Sequence, residues 1–158
     1  RLSIYVQLYR KSGLFINPAV HRELQPTFET YVNNSEANIF FLLDKIKNKE
    51  KRNTTAKKHG IRQGKPEREL HVSAHFMYSK KPNHPFWKDL LLLYQKRYNQ
   101  TVPNGERIES ISNYGRSYLS GSDLLSENIH KCIEKYDDIV ILNPNEYLKF
   151  VSKAENKI

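Results

Sequence analysis

The six histidines and the one cysteine of this sequence include side chains that could support metal binding or nucleophilic chemistry. His71 and His75 lie four residues apart in a segment that alternates polar and apolar residues, as a β-strand does. A strand rises about 3.3 Å per residue, so the two rings would stand about 13 Å apart, too far to hold one zinc ion. His130 is close to Cys132 in sequence, but not at a spacing typical of a base that activates a thiol. We therefore expect neither a zinc site nor a catalytic cysteine.

A basic segment interrupts the apolar parts of the chain between Lys45 and Arg68. It is rich in lysine and arginine, contains Gly and Pro, and has almost no apolar residue. This composition predicts a solvated loop or extension rather than a core element. Its functional interpretation is contact with RNA phosphate or an acidic protein surface through Lys57, Lys58, Arg62 and Lys65. It contains no Phe, Tyr or Trp, so we expect backbone tethering and no base stacking.

The spacing of apolar residues predicts strands alternating with helices. A short buried helix is expected at Leu2–Lys11, and an amphipathic helix follows the cap candidate and proline at Asn83-His84-Pro85. This order indicates an α/β fold with a mixed sheet in a single domain spanning residues 1–158. The strands are expected at Leu14–Ile16, Ile39–Leu43, Leu70–Tyr78 and Ile139–Leu142, and the later helices near Pro85–Tyr98 and Asp123–Tyr136.

Two side-chain arrangements follow from these elements. Trp87 and Leu91 are expected to be mostly buried on the sheet. In the third strand, strict alternation is expected to put four apolar side chains on one face. These are Leu70, Val72, Ala74 and Phe76.

Composition limits the class of protein and its partners. The chain has 158 residues and a formal net charge of +9, which favours phosphate-bearing partners such as nucleotides, RNA or an anionic membrane surface. Its one cysteine cannot form an internal disulfide, which favours a reducing compartment. Glycosylation patterns at Asn33, Asn53 and Asn99 favour the secretory pathway weakly. No apolar run reaches about 18 residues, so no transmembrane segment is expected.

Three segments in a fixed order carry a family resemblance. The first contains Leu8-Tyr9 and Ser12-Gly13-Leu14-Phe15, the second runs Phe76-Met77-Tyr78-Ser79 to His84-Pro85-Phe86-Trp87, and the third is Leu119-Ser120-Gly121-Ser122-Asp123-Leu124. They resemble the "LY..GG-I-Y", "FM.S…HPFW" and "TGP..LT" segments of DXD-containing glycosyltransferases of family 32, which include the initiation-specific mannosyltransferases. The resemblance implies a partial GT-A-like nucleotide-sugar transferase fold. It also implies donor-binding positions at Arg1, Gly13, Phe15, Asn17, His84 and Gly121.

The sequence departs from that family at the positions expected to bind metal. The family follows its second glycine with "I-Y-x-D-x-D", whose carboxylates hold a divalent ion, whereas this chain has Asn17 and Ala19. An amide and a methyl group supply no negative charge to a hard cation, so we expect no metal cofactor. Arg1 aligns near the start of the family's conserved core. We therefore expect the preceding nucleotide-binding strands to be missing and the domain to be N-terminally incomplete.

Two functional hypotheses remain open at this stage. The first is a non-catalytic glycosyltransferase-like domain that serves as a structural or interaction subunit of a larger assembly, for which an RNA-rich mitochondrial ribosome suits the charge. This hypothesis favours a mitochondrial or cytoplasmic location. The alternative is an active, divergent glycosyltransferase, located in the Golgi, that uses a nucleotide sugar and a cation such as manganese. Asp123 is its best candidate catalytic acid, and Asp44 is another.

Overall fold

The computed structural model describes residues 2–17, 25–44, 71–101 and 119–150. Most of the predicted strands and helices lie within these ranges, close to their predicted bounds. In chain order the elements are α1 (Leu2–Lys11), β1 (Gly13–Ile16), α2 (Pro26–Asn34), β2 (Ile39–Leu43), β3 (Val72–Ser79), α3 (Pro85–Thr101), α4 (Ser122–Cys132), β4 (Ile139–Leu142) and α5 (Pro144–Leu148).

The four strands form one mixed sheet in the order β1-β3-β2-β4. β3 is antiparallel to both β1 and β2, whereas β2 is parallel to β4. β1, β2 and β4 therefore run in the same direction, and their last residues lie at one end of the sheet together with the first residues of β3. We call this the carboxyl end of the sheet and the opposite one the amino end. The predicted α/β class with a mixed sheet is confirmed.

Helices α1, α3 and α4 cover one face of the sheet. Trp87 is fully buried there, as predicted, and its indole Nε1 donates a hydrogen bond to Ser79 Oγ at 3.0 Å. Leu91 is half-buried at the margin of the same core. Burial of such side chains stabilises the fold by roughly 1.5–3 kcal/mol each. Other buried members are Tyr5, Leu8, Phe41, Phe86, Leu90, Leu124, Leu125 and Ile129.

Helices α2 and α5 cover the second face. Phe40 and Phe41 are adjacent in β2, are both fully buried, and point to opposite faces. A strand covered on both sides needs apolar residues at every position, which explains the uninterrupted run Ile39–Leu43. Phe28 of α2 makes edge contacts with the rings of several neighbours. These are Phe40, Phe76, Tyr78 and Phe150.

β3 is irregular, and this changes which face its side chains reach. Its pairing with β2 shifts register between Phe41 and Leu43. As a result Val72 and Ala74 pack on the first face, whereas Phe76 packs on the second. The prediction of strict alternation through Phe76 is therefore wrong, because a bulge reverses the inward and outward positions. Leu70 lies outside the described residues.

Hydroxyl groups of α4 satisfy the backbone of this irregular stretch. The N–H groups of Val72 and Ala74 donate to Ser126 Oγ at 3.0 Å and Ser122 Oγ at 3.2 Å, respectively. Backbone donors that lose their strand partner need another acceptor when they are buried. The first turn of α4 is thereby fixed against β3.

Three of the described helices, α2, α3 and α5, begin at a proline, and in α3 and α5 the side chain before that proline caps the helix. His84 Nδ1 accepts the N–H of Phe86 at 3.1 Å, so the imidazole caps α3, whose predicted start is confirmed. Asn143 Oδ1 accepts the N–H of Glu146 at 2.8 Å and caps α5, a helix that the Asn-Pro turn signal did not predict. No helix in the described ranges is long and apolar enough to cross a membrane.

Candidate functional site at the carboxyl end of the sheet

Four residues with polar side chains lie at the carboxyl end of the sheet. Asn17 and Asp44 directly follow β1 and β2, while His71 precedes β3 and His75 lies within it. The N–H of Asn17 donates to the carbonyl of His75 at 2.9 Å, and the N–H of Asp44 donates to the carbonyl of His71 at 2.7 Å. Each residue that leaves a strand is thus held by its backbone to one histidine of β3.

The side chain of Asn17 is bonded to the same histidine as its backbone. Asn17 Nδ2 lies 3.0 Å from His75 Nδ1. The amide nitrogen of asparagine can only donate, so His75 Nδ1 is the acceptor of this hydrogen bond. Asn17, expected from the resemblance to contribute to donor binding, is therefore positioned by two hydrogen bonds to His75.

Asp44 and His71 form the second pair. Asp44 Oδ2 lies 3.7 Å from His71 Nδ1, beyond hydrogen-bond distance but close enough for an ion pair when the imidazole is protonated. The carboxylate side chain is 50% exposed, whereas the histidine is buried. Asp44 is consequently the carboxylate of this site that solvent can reach.

The two histidines have different neighbours. His75 is bonded to Asn17, and His71 faces Asp44. In the part of the chain that the structure describes, no group of three or more histidine, cysteine, aspartate or glutamate side chains could hold a metal ion. The two imidazoles are therefore held by different residues.

The first turn of α4 lies beside this site, but the carboxylate in that turn, Asp123, points into the core. Gly121, a predicted donor-binding position, is buried at the start of α4, and its carbonyl accepts the N–H of Leu125 at 3.1 Å. Asp123, the candidate catalytic acid, is 5% exposed, and its Oδ2 accepts from Arg97 Nη1 at 3.1 Å. Glu127 lies 3.9 Å from the same guanidinium. Asp123 therefore joins α4 to α3 through a buried ion pair.

Two other predicted positions lie at the amino end of the sheet, away from Asn17. Gly13 begins β1 with a φ of +115°, a conformation that favours glycine, and pairs with Ser79. His84 precedes α3, and its Nε2 lies 2.8 Å from Asp138 Oδ2. Phe15, between the two ends, packs against the first-face core. The predicted donor-binding residues are thus not all brought together.

Asp138 ties three elements together at the amino end. Its Oδ2 also accepts from Asn38 Nδ2 at 2.7 Å, and its backbone carbonyl accepts the N–H of Asn38 at 2.9 Å. Burial acts to raise the pKa of Asp138, but hydrogen bonds from Asn38 and His84 outweigh it and lower the pKa. The arrangement fixes the starts of β2, β4 and α3.

Cys132 is placed where a thiol is inert. It is buried at the end of α4, with Sγ 3.8 Å from Asp89 Oδ2. Burial, followed by the nearby Asp89 carboxylate, raises the pKa of the Cys132 thiol to about 11. The thiol is therefore protonated at neutral pH.

Several predicted residues lie outside the described ranges. They are Arg1, Ala19, Lys57, Lys58, Arg62 and Lys65.

Sequence reasoning missed the partners of the predicted residues. Nothing in the sequence marks Arg97 as the partner of Asp123, which lies 26 residues away. Asp138, which directly precedes β4, was likewise not predicted to bind Asn38 and His84. Such pairs depend on tertiary packing, and spacing in the sequence does not encode them.

No family model, curated protein or solved structure matches this chain. The interpretation of the site therefore rests on its own geometry.

Proposed function

We propose that the chain is a glycosyltransferase-like α/β domain without metal-dependent catalysis that acts as a structural or interaction subunit of a larger assembly. Asn17 is the observation that carries this proposal. It follows β1 where the resemblance expects the first metal-binding carboxylate, and its amide nitrogen is turned toward His75 at 3.0 Å. A carboxamide brings no negative charge to a nucleotide-bound cation.

The burial of Asp123 and its ion pair with Arg97 also support a non-catalytic role. A carboxylate that is 5% exposed and bonded to Arg97 has its charge balanced within the core. Releasing it toward a donor would remove the nearest carboxylate from the buried Arg97 guanidinium. Asp44 is then the acid on which an active, divergent transferase would have to rely, because it is half-exposed beside His71.

The charge distribution supports an interaction role. The described residues contain ten lysines and arginines and ten aspartates and glutamates, so the net charge of +9 lies in the remaining segments. The basic segment Lys45–Arg68 carries most of it. A neutral folded core with a strongly basic segment suits attachment to RNA phosphate, as in a mitochondrial ribosome.

A hydrolysis assay tests the proposal against its alternative. The full chain is incubated with manganese and a panel of uridine and guanosine diphosphate sugars, and released nucleotide is measured. We expect no release above the protein-free blank in wild type or Asp44→Asn. Manganese-dependent release by wild type that disappears in Asp44→Asn would instead establish the divergent enzyme.

A further inference from the structure

An apolar groove runs between α2 and the outermost strand β1. It encloses about 430 Å³, and its lining includes Leu14, Pro26, Phe28, Glu29, Val32 and Tyr78. Phe28 and Val32 form a buried floor, while Leu14 is 44% exposed at the rim. The groove is therefore a concave surface on which apolar side chains can be buried further.

The backbone of β1 borders this groove. The bond from Asn17 N–H to the His75 carbonyl shows that Asn17, and by the two-residue alternation Phe15, direct their backbone groups toward β3. The backbone groups of Leu14 and Ile16 face the other way. Among the described strands, only β3 pairs with β1. β1 also lacks the charged residues and prolines that protect exposed strands from pairing.

Glu29 gives the groove its electrostatic character. Among the described residues, it is the one charged side chain in the lining, and none of their cations lies within ion-pair distance of it. Burial raises the pKa of Tyr78, and the Glu29 carboxylate raises it further. The negative charge of Glu29 therefore acts on another residue of the groove lining. A cationic group on an occupant would complement this charge.

We propose that this groove binds an extended segment of a partner protein, which pairs with the backbone of Leu14 and Ile16 and places a lysine or arginine against Glu29. Pairing of a peptide with an open strand provides backbone hydrogen bonds, and alternate side chains provide selectivity. The proposal rests on the proposed interaction role and names a protein partner for it. The hydrolysis assay does not test this groove, so the two proposals can fail separately.

Peptide binding to the full chain tests the proposal. The probes are the labelled heptapeptide Thr-Val-Thr-Lys-Thr-Val-Thr and its counterpart with glutamate in place of lysine, followed by fluorescence anisotropy. We expect the lysine peptide to bind at least about fivefold more tightly. Glu29→Gln should remove this preference and Glu29→Lys should reverse it. Glu36→Lys, an exposed change just beyond α2 and outside the lining, is the matched control and should leave it unchanged.

Hydrogen exchange identifies the position of the peptide. We expect the amides of Leu14 and Ile16 to exchange rapidly in the free chain and to become protected on binding. Binding of neither peptide at about 1 mM, or a lysine preference that survives Glu29→Lys, would overturn the proposal. Protection of these amides without peptide would also overturn it, since a second copy or another segment of the chain would then occupy the groove.

Discussion

At His84, both ring nitrogens are engaged in holding the fold. Nδ1 accepts the N–H of Phe86, so the proton is on Nε2, which faces the Asp138 carboxylate. The resemblance assigns this position to donor binding, yet the imidazole lies at the amino end of the sheet. The structure gives it a positioning role between α3 and the start of β4.

The pH dependence of stability should reveal the Asp138 contacts. Because its folded pKa is below the usual value near 3.8, Asp138 stabilises the fold above that value and ceases to do so as the pH falls through the lower, folded pKa. Asp138→Asn should lower the free energy of unfolding at neutral pH by about 1–3 kcal/mol. The variant should then lose less stability than wild type on acidification.

Urea unfolding at neutral pH and at about pH 3 measures both effects. Asp137→Asn, a change at the exposed neighbouring residue, is the control and should behave as wild type. If all three proteins lose the same stability in acid, the proposed coupling of Asp138 to folding is wrong.

At the level of elements, the joint between α3 and α4 depends on the Arg97–Asp123 pair. Both side chains are less than a tenth exposed, and their closest atoms are 3.1 Å apart. Burying two charges is costly, and removing one partner leaves the other uncompensated. The pair therefore fixes which turn of α3 faces the first turn of α4.

A double-mutant cycle tests this joint. Arg97→Met should destabilise the chain by about 3–5 kcal/mol, because Asp123 is left as a buried charge. Adding Asp123→Leu should restore most of that loss, since both charges are then gone. Lys96→Met, at the exposed adjacent residue, controls for the loss of a cation. Additive losses in the double variant, measured by urea unfolding, would contradict a coupled pair.

The sequence predicted elements with a strong apolar pattern and missed the others. β2 and β4 have the predicted bounds, because both are runs of adjacent apolar residues. β2 is buried on both faces, whereas β4, at the edge of the described sheet, is mostly half-buried. α2 was not predicted, since Phe28 and Val32 make only a narrow apolar stripe in a nine-residue helix. α4 was predicted to reach Tyr136 but ends at Cys132, whose carbonyl accepts the N–H of Tyr136 in the following turn.

At the candidate site, the sequence identified the residue types but not the side chains that each residue contacts. That Asn17 and Ala19 carry no carboxylate can be read directly from the sequence. The bond from Asn17 to His75 joins residues 58 positions apart and depends on how β1 pairs with β3. The sequence alone therefore could not identify His75 as the group that positions Asn17.

At the level of the whole molecule, positive charge is unevenly distributed along the chain. The described core is electrically balanced, and the excess of positive charge lies elsewhere, chiefly in Lys45–Arg68. Balanced surfaces contribute little to binding of a polyanion, whereas a run of lysines and arginines contributes through counterion release. The RNA interaction that we propose should therefore depend on this segment.

The salt dependence of RNA binding tests that expectation. Affinity for a single-stranded RNA should fall steeply with salt, and the change of Lys57, Lys58 and Arg62 to alanine should flatten the slope by about 0.7 per lost contact. The same change at Lys96, Lys131 and Lys149, which are exposed on the core, is the control and should alter the slope less. Binding that does not depend on salt would remove the basis for an RNA-rich assembly.

Calorimetric titration of the full chain with manganese and a nucleotide sugar tests the central claim most directly. Because Asn17 supplies an amide bonded to His75 and Ala19 supplies a methyl group, we expect no heat above dilution. Asn17→Asp with Ala19→Asp should not restore turnover, since the acids alone do not provide a nucleotide-binding surface. Manganese-dependent binding of the sugar donor by the wild-type chain, with a dissociation constant of about 1 mM or lower, would contradict the claim that this domain has lost its catalytic chemistry.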